Sequence, residues 1–173
     1  HARHAMDLPG VPSVLLDALR DAACACGQPR LALVGGVVRD LMLHRRHSHP
    51  WNGVPDLDWV VEGDVAQIVA MLLERCGPRR VRSVQPHAAF GTVALHLDEV
   101  PLDLAMARQE TYPEPGWNPV VQPGSLETDL RRRDFTINAM ALDLASGELL
   151  DPHGGLQDLA ANRLEFLHQN SVS

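Results

Sequence analysis

The chain has 173 residues, a hydrophobic content of 45% and a formal net charge of −7 at pH 7. This length and apolar content support one hydrophobic core and leave little room for a second domain. The negative charge argues against general affinity for nucleic acid, so any RNA contact is expected from a local basic patch or from sequence outside this chain.

The sequence also restricts the cellular setting. It has no run of about twenty apolar residues that would cross a bilayer, and no apolar signal-peptide segment at its start. We therefore expect a soluble, intracellular protein of the cytoplasm with no membrane partner. The three cysteines have no metal-ligand spacing and are expected to be reduced thiols. Because the chain begins at His1, residues 1–9 are expected to be a tag remnant or a disordered start.

Helices and strands alternate in the first half of the chain. Apolar residues at helical spacing predict helices at Val11–Cys26, Val37–Leu43 and Val65–Cys76. Short apolar runs predict buried strands at Leu31–Val34 and Leu57–Val61. A polar segment with two prolines predicts a loop over His44–Pro55. Asp64 is expected to be the N-cap of the third helix.

The second half is richer in strands. Strand composition predicts strands at Val81–Val84, Phe90–Leu97 and Val100–Ala107. Four prolines and little periodicity predict a long loop over Gln109–Gly124. A helix capped by Ser125 is expected to run to Arg132. The remaining predictions are a short helix at Thr136–Ala139, a hairpin over Met140–Leu150 and a helical stretch from Gly154 onward. This order of elements predicts an α/β domain.

Three acids form the first candidate site. Side chains alternate faces along a strand, so Asp56 and Asp58 are expected to project on the same side, close enough to share a hard cation. Asp103 is predicted on the strand face opposite Leu102 and Leu104, where an acid without a partner would be costly to bury. Three carboxylates around two Mg²⁺ or Mn²⁺ ions can activate a 3′-hydroxyl and neutralise a leaving pyrophosphate. An Asp-x-Asp pair on its own also fits a solvated strand start.

Two other segments suit the parts of a nucleotide. Gly35 and Gly36 allow close backbone approach and present helix N-terminal amides to a triphosphate, although packing of helix against strand explains them equally well. Arg39 adds a cation one turn later. Asp129 and Arg132 are spaced to share a helix face. They could present an acceptor and a fork of donors to a base edge, or form only an intrahelical ion pair.

Together these segments carry a resemblance to a known family. The segments that carry it are, in chain order, Leu33–Leu41, Asp56–Gly63, Phe90–Thr92, Asp103–Glu110, Asp129–Met140 and Asp151–Gly155. They closely resemble the catalytic head domain of the class II, bacterial-type, tRNA nucleotidyltransferase and poly(A) polymerase family. The resemblance covers nearly the whole chain from Leu31 onward. It implies the minimal nucleotidyltransferase palm of the DNA polymerase beta superfamily, an α/β (α+β) fold with a mixed sheet flanked by helices.

The resemblance also implies roles for particular residues. Those implied in catalysis and metal binding, as a two-metal Mg²⁺ site with Mn²⁺ as an alternative, are Asp56, Asp58 and Asp103. Those implied in nucleotide binding are Gly35, Gly36, Arg39, Arg108, Asp129, Arg132, Arg133 and Asn138. Asp129 and Arg132 match the pair that serves as a protein template by pairing with the base of the incoming nucleotide. Arg108 would abut the flexible loop that the family uses when it switches between bases. Asp134 matches another neighbour of the pocket. Thr128 departs from the family pattern, because many members carry an acid there.

The implied activity is template-independent, metal-dependent transfer of CMP or AMP from CTP or ATP to the 3′ end of tRNA, which is CCA addition. A poly(A), A-adding or CC-adding polymerase of the same family and a noncatalytic nucleotide-binding module are the alternatives. Residues 10–160 would form the head domain and residues 161–173 the start of a helical neck. Domains absent from this chain would make most of the contacts with tRNA or other RNA. This chain is therefore expected to bind nucleotide and metal weakly and to lack efficient tRNA binding.

Overall fold

The computed structural model of this protein describes residues 6–51, 56–87, 91–111, 113–116, 118, 120–133 and 138–161. Its helices are α1 (Ser13–Ala25), α2 (Gly36–His47), α3 (Val65–Cys76), α4 (Leu126–Arg131) and α5 (Gly155–Ala161). Its strands are β1 (Leu31–Val34), β2 (Leu57–Val61), β3 (Val81–His87), β4 (Thr92–Leu97), β5 (Val100–Met106), β6 (Arg108–Thr111), β7 (Val120–Pro123), β8 (Ala141–Asp143) and β9 (Leu149–Leu150).

The main sheet of the described residues is mixed, with the strand order β3-β4-β5-β2-β1-β8-β9. Its centre contains the parallel pair β2 and β5, in which Leu57 lies opposite Leu102. The other neighbouring strands of this sheet run antiparallel. A parallel pair needs a long crossover, and α3, β3 and β4 supply it between β2 and β5. β6 and β7 form a separate antiparallel hairpin.

The two faces of the main sheet pack against different helices. On one face, strand residues such as Leu33 and Trp59 pack with α1, α2 and α3 in the larger core. The intervening positions, represented by Val34 and Val60, pack instead against α4. Because side chains two residues apart in a strand share a face, Asp58 lies on the same side of β2 as Val60. The central acids and α4 are therefore on one face of the sheet.

The strongly patterned elements agree with the sequence-based prediction. β1, β2 and α3 begin and end at the expected residues. The carboxylate of Asp64 accepts the backbone N–H of Ala66 at 2.9 Å, which confirms Asp64 as the N-cap of α3. The predicted hairpin near residue 146 is confirmed by the pairing of β8 with β9.

Three expectations are wrong in part. The loop expected from His44 begins later, because α2 continues to His47 and ends at the left-handed Ser48. The loop expected over Gln109–Gly124 contains the hairpin of β6 and β7. Residues 6–9 are not a disordered start, since Met6 and Leu8 are buried in the larger core.

Several predictions fall outside the described residues. These are the strand start at Phe90, the first half of the short helix at Thr136–Ala139, and everything after residue 161. Within the described part of the chain, no helix has the length and apolar character needed to cross a bilayer.

Candidate functional site

Asp58 and Asp103 form the centre of the candidate site. They lie directly opposite each other in the parallel register of β2 and β5. Asp56 precedes β2, two residues before Asp58. All three acids line one cleft with a volume of about 630 Å³. Asp103 is exposed to this cleft rather than buried, so the expected cost of burying it does not arise.

The carboxyl group of Asp58 occupies an unfavourable setting for a negative charge. Partial burial raises its pKa, and the charge of Asp103, a hydrogen bond with Asp103 and the charge of Asp56 raise it further, whereas Arg133 lowers it. Converging carboxylates suit a hard divalent cation, which favours their ionised forms. Within the described ranges, no three or more His, Cys, Asp or Glu side chains converge on one metal position. The acids therefore line the cleft without forming a closed ligand shell.

The turn between β1 and α2 lies beside Asp58. Val34 at the end of β1 pairs with Asp58, and the next residue, Gly35, has a φ of 86°, a left-handed conformation that favours glycine. A Cβ atom on Gly35 would lie 3.9 Å from Oδ2 of Asp58. The first turn of a helix leaves backbone N–H groups without intrahelical partners. The N terminus of α2 therefore presents anion-binding groups next to the carboxylates.

Arg39 lies one turn into α2 and contacts two of its neighbours. Its Nη1 donates to Oδ1 of Asn138 at 3.2 Å, and its Nε donates to Oδ1 of Asp40 at 3.1 Å. A Cβ atom on Gly36 would lie 3.2 Å from Nη2 of Arg39. Three of the predicted nucleotide-binding residues, Gly36, Arg39 and Asn138, are thus brought together at this end of α2.

A tight turn positions the start of α4. The N–H of Thr128 donates to Oγ of Ser125 at 3.1 Å, and the N–H of Ser125 donates to Oγ1 of Thr128 at 2.9 Å. This is a capping box in which Thr128 does what a Glu or Gln side chain usually does. The departure from the family pattern at this position therefore keeps the cap. Only glycine fits at position 124 without a steric clash. A Cβ there would lie 2.8 Å from the carbonyl carbon of Arg108 and 2.9 Å from the backbone nitrogen of Gln109.

The end of α4 carries a buried ion cluster. Asp129 is only 1% exposed. Its Oδ2 accepts the backbone N–H of Arg108 at 3.1 Å and Nη2 of Arg132 at 3.3 Å, and its Oδ1 accepts Nη2 of Arg133 at 3.0 Å. Asp129 and Arg132 share a helix face as expected, in the form of an ion pair. No base contact is shown, so its pairing with a base stays a prediction.

The predicted site residues therefore form two groups. One consists of the acids and the glycine turn with Arg39 and Asn138. The other consists of Arg108 and the ion cluster at the end of α4. Arg133 connects the two groups, since its charge acts on Asp58. Asp134 lies outside the described residues.

Sequence reasoning missed part of the lining of the cleft. Ser83, Gln85 and His96 line it together with the acids. The pairing of β3 with β4 is irregular between Arg82 and Gln85, and Ser83 has a φ of 56°. Such a bulge redirects side chains from their expected face. The alternation of β4 could have revealed His96, but the bulge has no signal in the sequence.

A family model described as the poly A polymerase head domain matches residues 31–165. The chain belongs to this family. One similar head domain is in the A-adding tRNA nucleotidyltransferase of Aquifex aeolicus (strain VF5), which is 44% identical over 142 residues, covering 80% of this chain and 16% of that protein. Another is in the CC-adding tRNA nucleotidyltransferase of Deinococcus radiodurans, which is 45% identical over 146 residues, covering 82% of this chain and 36% of that protein.

Solved structures show the same fold for this poly A polymerase head domain. The structure of a CCA-adding enzyme in apo form II matches with a TM-score of 0.71 and 31% identity, over 88% of this chain and 35% of that chain. A tRNA nucleotidyltransferase complexed with a primer tRNA and an incoming ATP analog matches with a TM-score of 0.63 and 39% identity. The match covers 82% of this chain and 36% of that chain. The predicted nucleotidyltransferase fold is confirmed. The matched region of this chain spans between 16% and 36% of the length of these four proteins.

Proposed function

We propose that this chain is the catalytic head of a tRNA nucleotidyltransferase, which transfers CMP or AMP from CTP or ATP to the 3′ end of tRNA. The observation that carries the proposal is the placement of Asp58, Asp103, the Gly35 turn and the Arg133 guanidinium around one another. Membership of the poly A polymerase head family and relatives named as A-adding and CC-adding support the same reaction class.

The proposed metal ligands are the three acids of the cleft. Asp56, Asp58 and Asp103 offer only carboxylate oxygens, a donor set that suits Mg²⁺ and also Mn²⁺. When bound, such ions supply charge neutralisation for a triphosphate and a lowered pKa for an attacking hydroxyl. The raised pKa of Asp58, caused by burial and by Asp103, supports this assignment, because a cation would remove the repulsion between the two carboxylates.

The triphosphate is proposed to lie at the N terminus of α2. The backbone N–H groups after Gly35 and Gly36 suit phosphate oxygens, and the guanidinium of Arg39 lies next to them. Asn138 accepts a hydrogen bond from Arg39 and so limits the positions that this guanidinium can take. The acids beside the turn would hold a metal ion, which would supply charge neutralisation for the phosphates.

The rest of the nucleotide is proposed to lie towards the end of α4. Arg132 and Arg133 are about one quarter exposed and provide guanidinium groups on the same sheet face. Arg108 begins the β6–β7 hairpin beside them. Guanidinium groups suit both phosphate and base recognition, because their donors are planar and fixed in direction.

The acceptor RNA is proposed to place its 3′ end in the cleft beside Asp103. Ser83, Gln85 and His96 line the same cleft. Polar side chains such as these can hydrogen-bond ribose hydroxyls and base edges without repelling phosphates. The cleft of about 630 Å³ is also within the usual size range of ligand sites.

The test is extension of an end-labelled tRNA transcript that lacks its CCA end. The chain is used in excess over transcript, with Mg²⁺ and with CTP, ATP or both, and the product lengths separate CC, A, CCA and poly(A) addition. The proposal predicts slow, metal-dependent extension that the Asp56→Ala/Asp58→Ala variant loses. Extension that survives in this variant would contradict the proposal. So would a lack of extension by a chain that binds Mg-nucleotide and transcript.

Expectations about the rest of the protein stay predictions. These are a helical neck from residue 161 onward, tRNA contacts through further domains, and a cytoplasmic location. The relatives are much longer than the matched region, which supports the presence of further domains in proteins of this family. A noncatalytic nucleotide-binding module gains no support, since all three predicted acids line the cleft.

A further inference from the structure

Paired residues form a row that leads from the acids of the cleft to the edge of the main sheet. Each residue of this row lies opposite the next, on β2, β5, β4 and β3, and they are Asp58, Asp103, Ala94 and Gln85. Residues paired in neighbouring strands project on the same face of a sheet. Gln85, on the edge strand β3, therefore shares a face with the acids, which we call the cleft face.

A second row places an arginine on the cleft face. His96 lies two residues after Ala94 on β4 and so shares its face. His96 is paired with Pro101 of β5 on one side and with Arg82 of β3 on the other. Because neighbouring strands lie about 4.8 Å apart, the backbone of Arg82 lies roughly 10 Å across the sheet from β5. Arg82 and His96 are both exposed.

A bulge in β3 brings Arg82 and Gln85 to the cleft face together. Residues three apart on a regular strand would point to opposite faces. Between the two pairs that Arg82 and Gln85 make with β4, two residues of β3, Ser83 and Val84, stand against the single residue Leu95. The extra residue lets Val84 pack on the larger core while Arg82 and Gln85 both face the cleft side.

Arg82 differs from the arginine two residues before it. Nε and Nη2 of Arg80 donate to the two carboxylate oxygens of Asp98, at 2.7 Å and 2.8 Å. Among the described residues, no carboxylate forms an ion pair with Arg82. The whole chain has a net charge of −7, so a polyanion can be held only where a local cation faces it. Arg82 is such a cation on the cleft face.

The composition of the cleft face fits nucleic acid better than another protein domain. On β3, β4 and β5, the exposed residues of the two rows and of the bulge are Arg82, Ser83, Gln85, His96, Pro101 and Asp103. All except the proline are polar or charged. The core of a protein–protein interface is apolar and poor in charge, whereas interfaces with nucleic acid are polar and positively charged.

We propose that Arg82 binds a backbone phosphate of the acceptor RNA, on the 5′ side of the 3′ end that lies beside Asp103. This inference deepens the proposed function and rests on it. The RNA strand crosses β5 and β4 towards the edge strand β3, with His96 and Gln85 beneath it. A phosphate contact positions the strand without reading its bases, so Arg82 contributes affinity alike for every acceptor sequence.

The experiment measures binding of a short, labelled single-stranded RNA by fluorescence anisotropy, with Mg²⁺ and without nucleotide. Arg82→Gln should weaken binding by roughly three- to tenfold. It should also lower the slope of log affinity against log salt concentration by about 0.7, the share of one phosphate on a single strand. Arg82→Lys should bind within about twofold of the parent chain, because a point charge also holds phosphate. Equal affinity of Arg82→Gln and the parent chain would overturn the inference, as would a parent chain with no measurable RNA affinity at low salt.

The matched control is Arg75→Gln, which removes the same charge from an exposed position of α3. α3 packs on the other face of the sheet, so this variant should bind RNA like the parent chain. An equal loss in Arg75→Gln and Arg82→Gln would mean that net charge alone is responsible.

Uncharged methylphosphonate linkages locate the contact. Single replacements are made along the RNA, starting from its 3′ end. One replacement should weaken binding to the parent chain and have little effect on binding to Arg82→Gln, because the two partners of one contact are not independent. Losses that are the same in both chains at every linkage would show that Arg82 contacts no phosphate.

Extension of the same RNA with Mg²⁺, CTP and ATP separates this inference from the proposed function. Arg82→Gln should raise the KM for RNA and leave kcat and the affinity for MgATP unchanged. Weaker MgATP binding by Arg82→Gln would place the arginine on the triphosphate and refute the RNA contact. A parent chain that binds RNA through Arg82 but never extends it would refute the proposed function. Extension with the same KM in both chains would refute only the contact.

Discussion

Asp58 and Asp103 face each other across the parallel strands β2 and β5, at the centre of the sheet. Burial and the nearby Asp103 raise the pKa of Asp58, so the fold holds its carboxylate where a negative charge is disfavoured. The stability that protonated Asp58 contributes is present at low pH and is lost as pH rises through its raised pKa. At neutral pH and without a cation, this pair therefore costs stability.

Asp58→Asn is accordingly predicted to keep or raise the stability of the chain while it weakens metal binding. At pH 7 with chelator, the variant should unfold at the same temperature as the parent chain or at one a few degrees higher. Addition of Mg²⁺ should raise the unfolding temperature of the parent chain by mass action and that of the variant much less. Thermal unfolding followed by circular dichroism, with and without Mg²⁺, measures both effects.

The matched control for this experiment is Asp21→Asn on the exposed surface of α1, which removes one negative charge far from the cleft. It should respond to Mg²⁺ like the parent chain. An equal Mg²⁺ response in Asp58→Asn would mean that Asp58 is not a metal ligand.

Two glycine substitutions are predicted to differ in their effects, one lowering stability and the other lowering nucleotide affinity. Gly124→Ala places a Cβ against the backbone of Arg108 and Gln109, which cannot move aside, so it should cost about 1–3 kcal/mol of stability. Gly36→Ala meets only the end of the flexible Arg39 side chain, so it should change stability by less than about 0.5 kcal/mol. It should nevertheless weaken nucleotide binding, because it displaces the Arg39 guanidinium.

Denaturant unfolding and nucleotide titration on both glycine variants test these profiles. An unchanged stability of Gly124→Ala would show that the β6 backbone leaves room for a Cβ atom at this position. Unchanged nucleotide affinity in Gly36→Ala would remove Arg39 from the proposed triphosphate site.

The ion pair between Arg30 and Glu127, at the start of α4, is predicted to weaken in acid. A hydrogen bond from Arg30 lowers the pKa of Glu127 below its usual value of 4.5. Its contribution to stability is therefore present above that value and is lost as pH falls through the lowered pKa. Because this pair is partly exposed, Glu127→Gln should cost less than about 1 kcal/mol at pH 7.

Thermal unfolding of the parent chain and of Glu127→Gln from pH 7 to pH 3 measures this effect. The difference between their unfolding temperatures should shrink towards pH 3. Glu74→Gln, an exposed acid on α3, serves as the control and should show little difference at any pH. A difference for Glu127→Gln that grows in acid would contradict the assigned direction.

His96 is predicted to affect the RNA acceptor alone. His96→Ala should raise the KM for acceptor RNA by roughly two- to tenfold, the effect of losing a single hydrogen bond. Nucleotide affinity should not change, since His96 lies on β4, whereas the proposed nucleotide site lies at α2 and the end of α4. His87→Ala is the control, because this exposed histidine lines a different cavity. An equal effect of both variants on acceptor KM would place the RNA elsewhere.

The sequence predicts well those elements whose pattern is strong and local. β1 is an unbroken apolar run, β2 is apolar apart from Asp58, and α3 has a capping acid before it and Gly77 after it, so their limits follow from the residues themselves. The same-face placement of Asp56 and Asp58 follows from strand geometry. The opposition of Asp58 and Asp103 does not, because it depends on the parallel pairing of strands more than forty residues apart in the chain.

Features that depend on distant contacts escape sequence reasoning. The β6–β7 hairpin is rich in prolines and poor in apolar residues, and it forms by pairing across a segment with little pattern of its own. The burial of Asp129 depends on the docking of Arg108, which no spacing within α4 reveals. The bulge near Ser83 likewise results from the fit of β3 to β4.

Calorimetric titration of MgATP and MgCTP measures whether the cleft binds Mg-nucleotide through its carboxylates. The parent chain is compared with Asp56→Ala/Asp58→Ala and with Asp21→Ala/Glu74→Ala, a control that removes the same charge from exposed helix positions. We expect metal-dependent binding of both nucleotides to the parent chain and to the control, and loss of binding in the cleft variant. Equal binding by all three chains would show that the carboxylates of the cleft do not hold Mg-nucleotide.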